Sequence, residues 1–151
     1  MRVTTYTFLR VVACALALAA CNDVRDFAGD WSGNRAGTSP ALRVGDGLTA
    51  TLTIESIDNH GLRGHLRVVH MDEAAPLIDA DFASLEAAEA DALATMTFAG
   101  APVRVYLAFV PAADGDVLAM IALYDSRRIE VRLLRGGPSP LYAIYALGEN
   151  T

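Results

Sequence analysis

The chain has 151 residues and a formal net charge of −6, set by 18 acidic residues against 12 arginines with no lysine. This acidic balance excludes a polyanion such as nucleic acid as the expected partner. Apolar residues make up 53% and charges are spread along the chain, which predicts a folded core rather than disorder, in one compact domain.

The first twenty residues have the pattern of an export leader. Arg2 and Arg10 flank a polar start, and "VVACALALAA" (Val11 to Ala20) is an apolar run too short to cross a bilayer comfortably. Directly behind it, Leu18-Ala19-Ala20-Cys21 resembles the lipobox of bacterial lipoproteins. The resemblance implies that residues 1–20 are a signal peptide and that Cys21 is acylated and becomes the mature N-terminus. Several acyl chains at about 0.8 kcal/mol per buried CH₂ make a stable bilayer anchor, where one chain alone is marginal. Cys14 leaves with the leader, so Cys21 is the single cysteine of the mature chain and no disulfide is expected. In the enterobacterial sorting pattern an aspartate after the lipidated cysteine retains the protein in the inner membrane. Asn22 stands there, which favours the periplasmic face of the outer membrane, although Asp23 follows at once.

Residues 21–28 are expected to be a lipidated polar tether, and residues 29–151 a single domain. Beyond the tether the pattern has period two. In "LTATLTIES", Leu48, Ala50, Leu52 and Ile54 share one face and Thr49, Thr51 and Thr53 the other. "DNHG" (Asp58 to Gly61) supplies turn chemistry. "LRGHLRVV" then sets Leu62, Gly64, Leu66 and Val68 against Arg63, His65 and Arg67. The segment from Pro76 to Phe98 admits two readings. Ile78, Phe82 and Leu85 have helical spacing, whereas a hairpin faces Ile78, Ala80 and Phe82 inward on one arm and Ala94, Met96 and Phe98 on the other. The regular strands elsewhere favour the hairpin. "VRVYLAFV" places Val103, Val105, Leu107 and Phe109 on one face, and "PAADGD" breaks it. "VLAMIALY" (Val117 to Tyr124) is apolar throughout and suits a strand covered on both faces. "RIEVRLL" faces Ile129, Val131 and Leu133 inward, and "LYAIYAL" is the last strand.

About eight strands joined mostly by short turns predict an all-β fold, a small antiparallel barrel. Gly29-Asp30-Trp31 resembles the G-x-W start of lipocalins and related calycin barrels, which implies an indole plugging the closed end. "GDWSGNRAG" is also similar to the first strand of nitrobindin-like haem barrels. Their haem-ligating histidine lies near the C-terminus, and no histidine follows His70 here, so no cofactor is expected. The residues themselves describe Trp31 as a core anchor, with glycines where neighbouring backbone approaches closely.

No catalytic set is expected. G-x-S-x-G is absent. His60, His65 and His70, with Asp72 and Glu73 near them, have a spacing of five that suits neither a helical nor a strand metal pair. Asp114-Gly115-Asp116 lacks the remaining oxygens of a calcium loop. Asp79, Asp81, Glu86, Glu89 and Asp91 form the solubilising side of a half-buried segment, and Arg127 and Arg128 are surface charge at a turn. Two functions fit this pattern. One is an anchored module holding a small apolar ligand inside the barrel, suggested by inward Ala50, Gly64, Ala80 and Ala94. The other is a structural or inhibitor-type envelope lipoprotein with a filled barrel, docking a protein through "VLAMIALY" or the exposed side of "LYAIYAL" with Tyr145.

Overall fold

The computed structural model describes residues 23–34, 48–70, 75–85 and 102–150. A 3-10 turn, Val24–Phe27, precedes eight strands: β1 Gly29–Asn34, β2 Leu48–Ile57, β3 Leu62–His70, β4 Ile78–Ala83, β5 Arg104–Val110, β6 Val117–Tyr124, β7 Arg128–Arg135 and β8 Leu141–Glu149. They form one antiparallel sheet in the order β4-β3-β2-β1-β8-β7-β6-β5. Its two ends meet where the Leu85 N–H donates to the Leu107 carbonyl at 2.7 Å, so the sheet curls into a nearly closed barrel. The expected all-β antiparallel barrel is the observed fold.

Local chemistry sets the turns. The Asp58 carboxylate accepts from the His60 and Gly61 N–H groups at 2.7 and 2.9 Å, so aspartate replaces the backbone acceptor that a tight β2–β3 turn lacks. Those two bonds hold the Asp58 carboxyl below its ordinary range. The β5–β6 turn uses Gly115 at φ 108°, a conformation that costs glycine little. In β2 a bulge at Ile54/Ser56 resets the phase, so that Ile54 and Ile57 both point inward while Glu55 and Ser56 are exposed.

The interior is apolar and full. Every side chain of the main core cluster except Val24, Ile57 and Phe82 is 2% exposed or less, so essentially no water-sized space touches them. Trp31, Tyr106, Tyr145 and Phe27 are its largest members. The Tyr106 hydroxyl crosses to donate to the Asp58 carbonyl at 2.6 Å, which satisfies a polar group inside an apolar barrel.

β2, β3 and β7 have the expected facing, and β6 is covered on nearly its whole length on both faces. β4 is a strand, with Ile78 and Phe82 inward and Asp79 and Asp81 exposed. The second arm of that hairpin, with Ala94, lies outside the described residues.

Two expectations need correction and one is completed. Val105 and Leu107 share a face as expected, and it is the outer one. Tyr106, Ala108 and Val110 fill the interior instead, and Val105 and Leu107 join Met120, Ala122 and Tyr124 in a second, outer cluster. Both faces of β5 are apolar, so alternation alone could not say which was inside. Tyr145 is fully buried in the core; Tyr142, Ile144 and Ala146 face outward from β8. The folded domain also begins before Gly29, because Val24 and Phe27 are buried. Asp23 caps this turn by accepting from the Arg25 N–H at 3.1 Å.

Candidate functional site

Cys21, the expected lipidation site, lies outside the described residues, and so do Asp72, Glu73, Glu86, Glu89 and Asp91. Of the residues singled out from the sequence, Trp31 and Arg127 are brought together in one cluster with Phe27 and Glu149. The Trp31 indole N–H donates to the Phe27 carbonyl at 3.0 Å, and the two rings stack with centroids 5.6 Å apart. The Arg127 guanidinium lies over both rings, 5.6 Å from Phe27 and 5.7 Å from Trp31. It also donates to the Asp26 carbonyl at 2.8 Å and, through Nη2, to both Glu149 carboxylate oxygens at 2.8 and 2.7 Å. One arginine therefore ties the 3-10 turn, the first strand, the β6–β7 turn and the end of the last strand together. Arg127 itself sits at φ 55°, a left-handed conformation that non-glycine residues adopt at a cost. This lock was not visible in the sequence. Its partners stand 22 and 101 positions away, with no spacing to connect them.

The outer surface is divided into two halves. Across β1–β4 the register sets Asp30, Thr53, His65 and Asp81 side by side, with Ser32, Thr51, Arg67 and Asp79 in the next row. His65 bridges the edge strand here: Nδ1 lies 2.7 Å from Asp81 and Nε2 2.7 Å from Asp79. Hydrogen bonding to Asp81 and then Asp79 raises the imidazole above its ordinary 6.5. Asp79 also meets Arg67 at 3.4 Å. Each acid is thus held by a base on the neighbouring strand, an arrangement that fastens β4 to β3. Among the described residues no group of His, Cys, Asp and Glu is placed to hold a metal ion.

Across β5–β8 the same outer face is apolar. Phe109, Leu118, Leu134 and Tyr142 are cross-strand neighbours in one row, and Leu107, Met120, Arg132 and Ile144 form the next. The charges on this side are paired locally. Arg132 Nε lies 2.6 Å from Glu130 and Arg128 covers the Tyr124 ring at 4.4 Å.

A shallow cleft of about 440 Å³ opens between the β2–β3 turn and the end of β4, with Ser56, His60, Arg63 and Ser84 at its walls. Among the described residues polar groups around this cleft serve the β2–β3 turn and the end of β4: the Asp58 carboxylate holds the turn, and the Ser84 hydroxyl accepts from the Leu62 N–H at 2.8 Å. Compared with protein-family models, curated proteins and solved structures, the chain matches none.

Proposed function

We propose that the chain is a membrane-anchored envelope lipoprotein whose filled barrel works through its outer surface, as a structural or protein-binding, inhibitor-type module. The observation that carries this reading is the packing of the core, whose inward side chains are almost all exposed by 2% or less. A barrel that carries a ligand encloses a cavity lined by such residues. The anchor reading rests on Leu18-Ala19-Ala20-Cys21.

A second reading, a small apolar ligand held inside, is favoured by the inward alanines Ala50, Ala108, Ala119 and Ala143. They leave room for a guest if neighbouring side chains shift. Native mass spectrometry of the gently purified protein separates the two readings: a clean protein mass supports the filled barrel, and a co-purifying lipid-sized adduct supports the carrier. Cys21→Ser tests the anchor. The variant is expected in the soluble fraction or unprocessed, and unchanged membrane attachment with an identical mature N-terminus would sink the lipoprotein reading.

A further inference from the structure

β3 turns three bases outward, Arg63, His65 and Arg67, and the sheet supplies acids for two of them. Arg67 meets Asp79, and His65 lies between Asp79 and Asp81. Arg63 is passed over on both sides. On β4 the alternating aspartates stop, and Ala83 stands opposite Arg63. On β2 the bulge between Ile54 and Ser56 puts Ser56 there, where an unbroken register would put Glu55. A bulge re-aims side chains in this way beside functional sites. Among the described residues Arg63 has no ion-pair partner.

Arg63 and Ser56 line the cleft of about 440 Å³ together with Asp58, His60 and Ser84, a size that suits a small molecule. The β2–β3 turn uses a single Asp58 oxygen, Oδ1, for both of its N–H bonds, and Ser84 serves the fold as an acceptor. That leaves Asp58 Oδ2 as an acceptor and the Ser84 hydroxyl as a donor. We infer that the cleft binds a small zwitterion, its carboxylate or phosphate on Arg63 and its ammonium group on Asp58.

Two observations select that chemistry. Arg63 and Asp58 line one cleft without pairing with each other, so each charge is available to a ligand that carries both signs. The chain has a net charge of −6, which works against a ligand that is only anionic. The Ser56 hydroxyl, opposite Arg63, adds a donor for the anionic group. All of these side chains are at least partly exposed, so binding is weak, in the millimolar range. An amino acid, a short peptide and a phosphoethanolamine headgroup share this chemistry, and the reading does not depend on the anchor.

The test titrates the ¹⁵N-labelled full chain with glycylalanine and with O-phosphoethanolamine and follows the His60 and Gly61 amide signals. Half-saturation by at least one of the two at about 1–10 mM is expected, with acetate, inorganic phosphate and ethylamine at least about tenfold weaker. Arg63→Gln should weaken the zwitterion at least about tenfold. Asp58→Asn keeps an oxygen for the turn and should abolish the preference over the matching anion. Tighter binding of the dipeptide assigns the cleft to peptides, and tighter binding of phosphoethanolamine assigns it to a lipid headgroup. Silence of both amides toward either zwitterion at about 50 mM, equal binding of the simple anions, or wild-type affinity in R63Q overturns the inference.

Discussion

Arg127 and Glu149 are joined by a forked contact, 2.8 and 2.7 Å from one guanidinium nitrogen to the two carboxylate oxygens, and the same guanidinium covers Trp31. The end of the last strand is thereby fixed to the stacked Phe27 and Trp31 rings. Both side chains are nearly half exposed, so water screens the ion pair and its share is small. The ring contacts and the bond to the Asp26 carbonyl add the rest. Arg127→Ala is expected to cost about 2 kcal/mol in urea unfolding. Arg127→Lys keeps the charge but loses the planar fork, and should recover no more than about half of that. Equal stability of lysine variant and wild type would show that charge alone matters.

Gly64 faces the bulged part of β2. An ideal Cβ there would fall 2.1 Å from the Thr53 carbonyl oxygen, a clash with backbone that no rotamer can relieve. Gly64→Ala should therefore destabilise by about 3 kcal/mol, at the upper end of overpacking costs. Gly61→Ala is the control, since its Cβ would meet only the Ser84 hydroxyl at 3.4 Å, and a change within about 0.5 kcal/mol is expected. Thermal unfolding of the two variants side by side checks the contrast.

Where one face of a strand is wet, the sequence specified its orientation: the threonines of β2 and the arginines of β3 and β7 left no choice about the inward set. β5 was not legible in that way, because Leu107 and Tyr106 are equally plausible core residues and only the three-dimensional closure assigns them. Val24 and Phe27 were hidden for a related reason. A three-residue spacing in a short polar stretch acquires meaning only when Phe27 finds Trp31. Trp31 was recognisable as an anchor, whereas Arg127, which completes its surroundings, resembled any charged turn residue.

The His65 bridge makes stability depend on pH. Its folded-state proton affinity is raised above the ordinary 6.5, so the stabilisation is complete below 6.5 and is lost as pH rises through the higher folded value. The site is partly exposed, which limits the effect to less than about 1 kcal/mol. Wild type should be slightly more stable at about pH 5.5 than at about pH 8.5 relative to His65→Gln. Parallel pH profiles for the two proteins would remove His65 from the account.

The filled interior can be tested by adding volume to it. Ala108 and Ala119 are cross-strand neighbours that both point into the core with no exposure. In a packed barrel Ala108→Leu or Ala119→Leu forces side chains off their rotamers or shifts a strand, at a cost of about 1–3 kcal/mol. In a barrel holding space for a ligand the added methylenes fill a void, and burying them stabilises by about 0.8 kcal/mol each. The two accounts therefore predict opposite signs. A rise in the denaturation midpoint of Ala108→Leu, with loss of any lipid-sized adduct in native mass spectrometry, would replace the filled barrel with a carrier. A fall in the midpoint with no adduct in either protein leaves the outer faces as the working surfaces.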